Sequence, residues 1–143
     1  MMVRVSRVRA WLSCALMVAA AATAFSAGLD LRAQAGGVIG VATPINLGDA
    51  NAPTIDFKLV LDTHSVPMTF DVAKIALLGD GKQLTVTASR WTGGKGGHHL
   101  SGTLSFPARG LRSSEALVLT LQVAGEAANL TFRWSNLPRP TGS

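Results

Sequence analysis

All three histidines of the chain fall in two short polar clusters, Asp62-Thr63-His64-Ser65 and Gly96-Gly97-His98-His99. Imidazole is the side chain best suited to ligating a transition metal or changing charge near neutral pH. Imidazole together with carboxylate suits Zn(II), Cu(II) or Ni(II). His64, His98, His99 and Asp62 are therefore the candidate ligands of a copper or zinc ion, with Asp71 as a further carboxylate. Met68 would add a preference for Cu(I) if its thioether reached the ion, but beside Phe70 it also reads as a core residue. The spacing of the two clusters is no standard ligand signature. Histidines at strand ends also serve as structural residues, so a metal site and a purely structural role compete.

The elements that must position these residues read as strands. Ile55, Phe57, Leu59 and Leu61 alternate with Asp56, Lys58, Val60 and Asp62, the period of a half-buried strand. Leu100, Gly102, Leu104 and Phe106 alternate with Ser101, Thr103 and Ser105 in the same way. Met68–Leu78 is a mixed apolar run ending at Gly79-Asp80-Gly81, a hairpin signal, and Leu84, Val86 and Ala88 alternate on the return. Leu117–Val123 and Leu130–Trp134 follow, with a turn near Gly125-Glu126. Val38–Thr43 would be an edge strand. The expected fold is all-β, an immunoglobulin-like β-sandwich of about seven antiparallel strands, with a small β-barrel as the alternative.

Strand parity sorts the candidate ligands. His64 shares the parity of Asp62 and Lys58, and His99 that of Ser101 and Thr103, so both belong to the outward sets. His98 matches Leu100 and points toward the core or its rim. A regular strand cannot aim His98 and His99 at one ion. A shared site needs the backbone at Gly96 and Gly97 to leave strand geometry, which glycine permits.

The beginning of the chain reads as an address. Arg4, Arg7 and Arg9 precede an apolar stretch from Trp11 to Ala24, followed by the small-x-small patterns Ala22-Thr23-Ala24 and Ala33-Gln34-Ala35. That order is a secretory signal peptide, placed at residues 1–35. A retained N-terminal anchor is the alternative. The other expected boundaries are a lead-in or edge strand at 36–53, the sandwich domain at 54–136 and a disordered tail at 137–143. The product would be periplasmic or secreted, with no membrane span after cleavage. Cys14 leaves with the leader, so the mature domain would hold together without disulfides.

Removing residues 1–35 takes away four of the 13 basic residues and one of the 8 acidic ones, which lowers the formal charge from +5 to +2. No basic stripe interleaved with aromatics is present, so nucleic acid is not an expected partner. No G-x-S-x-G elbow occurs, and Ser65 beside His64 would face away from it on a strand. The remaining carboxylates stand singly. Gly93-Gly94-Lys95-Gly96-Gly97 lacks the Ser/Thr and helix of a phosphate loop and reads as a flexible loop. Trp91 is either a stacking surface or, more simply, a core residue. The chain is not expected to be an enzyme.

The run Phe57–Val66, then Trp91, then Gly96-Gly97-His98-His99-Leu100-Ser101-Gly102-Thr103-Leu104-Ser105-Phe106 resembles a family of uncharacterised exported domains. Those domains share a T-H-S … W … G-G-H-H-x-x-G-x-L-x-F pattern, and Leu130–Trp134 is similar to their last strand. The resemblance implies a β-sandwich and a shared site near His64, His98 and His99. The pattern has an acidic residue where this chain has Pro67. Two functions follow as expectations. One is a metal-binding module using His64, His98, His99 and Asp62. The other is a non-enzymatic module that contacts an envelope or extracellular protein partner.

Overall fold

The computed structural model describes residues 28–126 and 128–137. In chain order these form β1 (Leu31–Ala35), β2 (Val38–Pro44), β3 (Thr54–Thr63), α1 (Val72–Ile75), β4 (Ala76–Gly79), β5 (Thr85–Thr87), β6 (Arg90–Trp91), β7 (His99–Pro107), β8 (Ala116–Glu126) and β9 (Asn129–Ser135). A single 3-10 turn, Leu111–Ser113, lies between β7 and β8. The strands build two antiparallel sheets, one ordered β1-β2-β3-β7-β6 and the other β5-β4-β8-β9. The result is a β-sandwich-like all-β fold, with no closed barrel among the described residues.

Apolar alternation decides which face of each strand turns inward. Ile55, Phe57, Leu59 and Leu61 of β3 are fully buried, and so are Leu104 and Phe106 of β7. Leu78 of β4, Leu119 and Leu121 of β8 and Leu130 of β9 meet them from the other sheet. An aromatic group ties the sheets together. Phe57 meets Phe106 edge-on at 5.9 Å and lies 5.1 Å from Trp134, which stacks on Phe132 at 6.2 Å. Truncating one such ring to alanine costs about 3–5 kcal/mol, a large share of a small domain's stability.

The structure differs from the expected elements at four points. Leu31–Ala35, read as the end of the leader, forms β1 and pairs with β2 from Leu31↔Ala42 to Ala35↔Val38. Consequently β2 is covered on both sides and is not an edge strand. The Met68–Leu78 run is not one strand. Its buried residues Met68, Val72 and Ala76 recur every four positions, and Asp71 caps the helical turn by accepting from the Ala73 N–H at 3.1 Å. Only Ala76–Gly79 is extended. The two-residue β6 is additional, which raises the strand count among the described residues to nine. The leader's apolar core at 11–24 and the tail beyond Leu137 lie outside the described residues.

The end of the sandwich that carries the β2–β3 connection is closed by one arginine. The Arg112 guanidinium donates to the carbonyls of Asn46 (3.1 Å), Ala52 (3.0 Å) and Thr54. Asn46 in turn holds Asp56 through its side-chain amide, at 3.1 Å to Oδ2 and 2.9 Å from the Asp56 N–H. A charged donor bond contributes about 1.5–3 kcal/mol, and the planar fork spans several carbonyls as an ammonium cannot. Arg112→Met should therefore lower the unfolding free energy by about 2–4 kcal/mol, with Arg112→Lys recovering only part. Urea denaturation checks this, read as a lower midpoint at unchanged slope. An Arg112→Met midpoint equal to wild type would refute it.

Candidate functional site

Antiparallel pairing of β3 with β7 delivers the candidate residues. The register runs from Thr54↔Pro107 to Asp62↔His99. One step further, the Thr63 N–H donates to the His98 carbonyl at 3.0 Å. Hydrogen-bonded and non-bonded pairs alternate along an antiparallel ladder, so Asp62↔His99 is a non-bonded pair, the kind whose side chains approach most closely. They do meet: His99 Nδ1 is hydrogen-bonded to Asp62 Oδ1.

Both side chains remain accessible, His99 at 64% and Asp62 at 47%. An exposed pair of this kind contributes about 0–1 kcal/mol to stability. Its consequence is orientation. A carboxylate only accepts, so Nδ1 must carry the hydrogen, and the neutral ring keeps its free lone pair on Nε2. Carboxylates orient metal-bound imidazoles by this same contact.

The two histidine clusters lie side by side, held by backbone bonds. Besides the Thr63–His98 bond, the Met68 N–H donates to the Gly97 carbonyl at 2.8 Å. Thr63 supports the turn from within. It is 3% exposed, and its hydroxyl accepts from the N–H groups of Ser65 (3.3 Å) and Val66 (3.2 Å). His64 stands exposed on that turn.

His98 is exposed as well, against the parity expectation that aimed it at the core or its rim. Gly97 explains the difference. Its φ of +82° is left-handed, and β7 starts only at His99, so strand parity does not extend to His98.

Asp62 and His99 are thus brought together, with His64 and His98 on the adjoining turns. Among the described residues, no three His, Cys, Asp or Glu side chains converge into a metal-binding group. Asp71 is engaged elsewhere, capping α1 and pairing with Lys74 at 3.9 Å. Met68 is fully buried and serves the core.

The glycine-rich connection is packed at its start, where Gly93 crosses Gly102 of β7, and open from Gly94 to Gly97. A Cβ on Gly102 would lie 2.6 Å from Gly93 Cα, so the chain can cross there only over glycine. The half-buried Trp91 lies over Gly93 and donates its indole N–H to the Gly94 carbonyl at 2.7 Å. Lys95 is exposed.

Two features escaped the sequence reading. Thr63 continues the inward parity of Leu59 and Leu61, and a hydroxyl on that face must find partners. That signal was present. The second is an apolar cleft of about 240 Å³ at the same end, lined by Val38, Val66, Pro67, Met68, Phe70 and Val123 among others. Val66 is 50% exposed beside it. Only the folded turns bring these residues together.

The register itself is testable. In a Cys14→Ser background, Asp62→Cys/His99→Cys should form a disulfide under mild oxidation, because a non-bonded cross-strand pair meets the distance a disulfide needs. Asp62→Cys/Leu100→Cys should stay reduced, because the two sites face opposite sides of the sheet. Thiol titration distinguishes them, and equal oxidation of both pairs would refute the register. No family model matches the chain, and neither a curated protein nor a solved structure does.

Proposed function

We propose that the chain is an exported, non-enzymatic β-sandwich module that binds a copper or zinc ion at the end carrying both histidine clusters. The hydrogen bond from His99 Nδ1 to Asp62 carries this reading, because it leaves Nε2 as a pre-oriented ligand at the surface. His64 and His98 complete the set by rotating toward the ion from their exposed turns, with Asp62 behind His99. The module is immunoglobulin-like in topology. Its support is the pairing of β3 with β7 and β4 with β8 across intervening strands, with the chain passing repeatedly between sheets. Its place is the periplasm or the extracellular space, on the strength of the basic and apolar leader.

A second reading is favoured by a different observation. The cleft beside Val66 and Phe70 is an apolar recess of a size to seat one apolar side chain of a protein partner, and it adjoins the same turns. Under that reading the histidines are structural or contact residues of an interaction module.

Native mass spectrometry with Zn(II) and with Cu(II) near neutral pH separates the two. Metal binding predicts a one-to-one complex that is lost in a folded His64→Ala/His99→Ala variant. Asp62→Asn should weaken it by about 10–100-fold, the usual effect of removing an orienting carboxylate. Absence of binding by the wild type, or equal binding by all three proteins, would overturn the metal reading and put the interaction module in its place.

A further inference from the structure

We infer that the export peptidase cuts ahead of β1, in the small-residue stretch 19–26 that includes Ala22-Thr23-Ala24, and not after Ala35 in the equally small Ala33-Gln34-Ala35. This inference rests on the proposed export of the chain.

Ala22-Thr23-Ala24, its neighbours Ala20-Ala21-Ala22 and Ala24-Phe25-Ser26, and Ala33-Gln34-Ala35 all satisfy the small-x-small pattern that such a cut requires, so the local pattern does not choose among them. The fold does. Ala33-Gln34-Ala35 lies inside β1, whose residues pair with β2 from Leu31↔Ala42 to Ala35↔Val38. Leu31, Ala33 and Ala35 pack against the core from the rim. The residues just before β1 are tied in as well. The buried Trp134 donates its indole N–H to the Leu29 carbonyl at 2.6 Å, and Thr43 Oγ1 donates to Asp30 Oδ1 at 2.8 Å. A cut after Ala35 would discard all of these at once.

Two separate costs would follow. The Trp134 N–H, on a ring only 3% exposed, would lose its acceptor. The whole length of β2 would also become an open edge. Its sequence, Val38-Ile39-Gly40-Val41-Ala42-Thr43-Pro44, has no charge to discourage pairing with another chain. In the intact fold β1 covers that edge and presents Arg32 and Gln34 outward. A cut in the stretch 19–26 keeps every one of these contacts.

The test is the intact mass and N-terminal sequence of the full chain after expression with export in a bacterial host. Alongside it, Ala35→Val replaces the small residue that a cut after Ala35 would need. The expected product begins ahead of Leu29, with β1 intact, and Ala35→Val is processed in the same way. A wild-type product beginning at Gly36 would overturn this inference and leave export standing. A wild-type chain that stays unprocessed in the cytosol would overturn the export reading, and the inference with it.

Discussion

The long antiparallel pairing of β3 with β7 is the constraint from which the rest of the molecule follows. It runs through the middle of the five-stranded sheet, from Thr54↔Pro107 to Asp62↔His99. The period of a strand is two, so a slip of one residue would turn Phe57, Leu59, Leu104 and Phe106 to solvent. The burial of those side chains therefore holds the register, and the register sets what happens at each end. At one end Asp62 faces His99. At the other, Thr54 and Asp56 lie where Arg112 and Asn46 can close the chain. The core holds the candidate site in position without touching its chemistry.

The two ends of the sandwich are finished by different means. The Arg112 end uses a charged fork on backbone carbonyls, which spends a partly buried cation on order alone. The histidine end uses main-chain bonds at Thr63, Met68, Gly97 and His98 together with the Thr63 hydroxyl, and leaves its imidazoles exposed, with the His99 ring held by Asp62. Exposed polar side chains on turns fixed by their own backbone are what a binding surface requires. The neighbouring cleft at Val66 and Phe70 gives that surface an apolar flank.

Much of this was readable in the sequence, for a physical reason. Alternation in 55–62 and 100–106 reports directly on burial, and it located β3, β7 and the outward placing of Asp62 and His99. Where alternation and burial part company, the local pattern does not report the structure. Met68, Val72 and Ala76 are buried at helical spacing inside a run that continues as a strand, so one apolar segment holds two periods. Leu31–Ala35 sits behind an apolar leader and carries a cleavage-like triplet, which hid β1. The parity of β7 does not reach His98, because the strand begins at His99, after the left-handed Gly97. The Arg112 clamp joins residues about 60 positions apart, a contact that no local pattern announces. The pairing of Asp62 with His99 was beyond the sequence for the same reason, because parity named their faces and not their register.

The central claim is that Asp62 holds the His99 ring with Nε2 free for a ligand. Nitrogen-15 spectra of the histidine side chains, recorded before and during addition of Zn(II), test it at the atom concerned. The account predicts that neutral His99 is protonated on Nδ1, and that its Nε2 resonance is the one that moves as the metal is added. A His99 protonated on Nε2, or an Nε2 signal that stays fixed while zinc binds elsewhere, would contradict it.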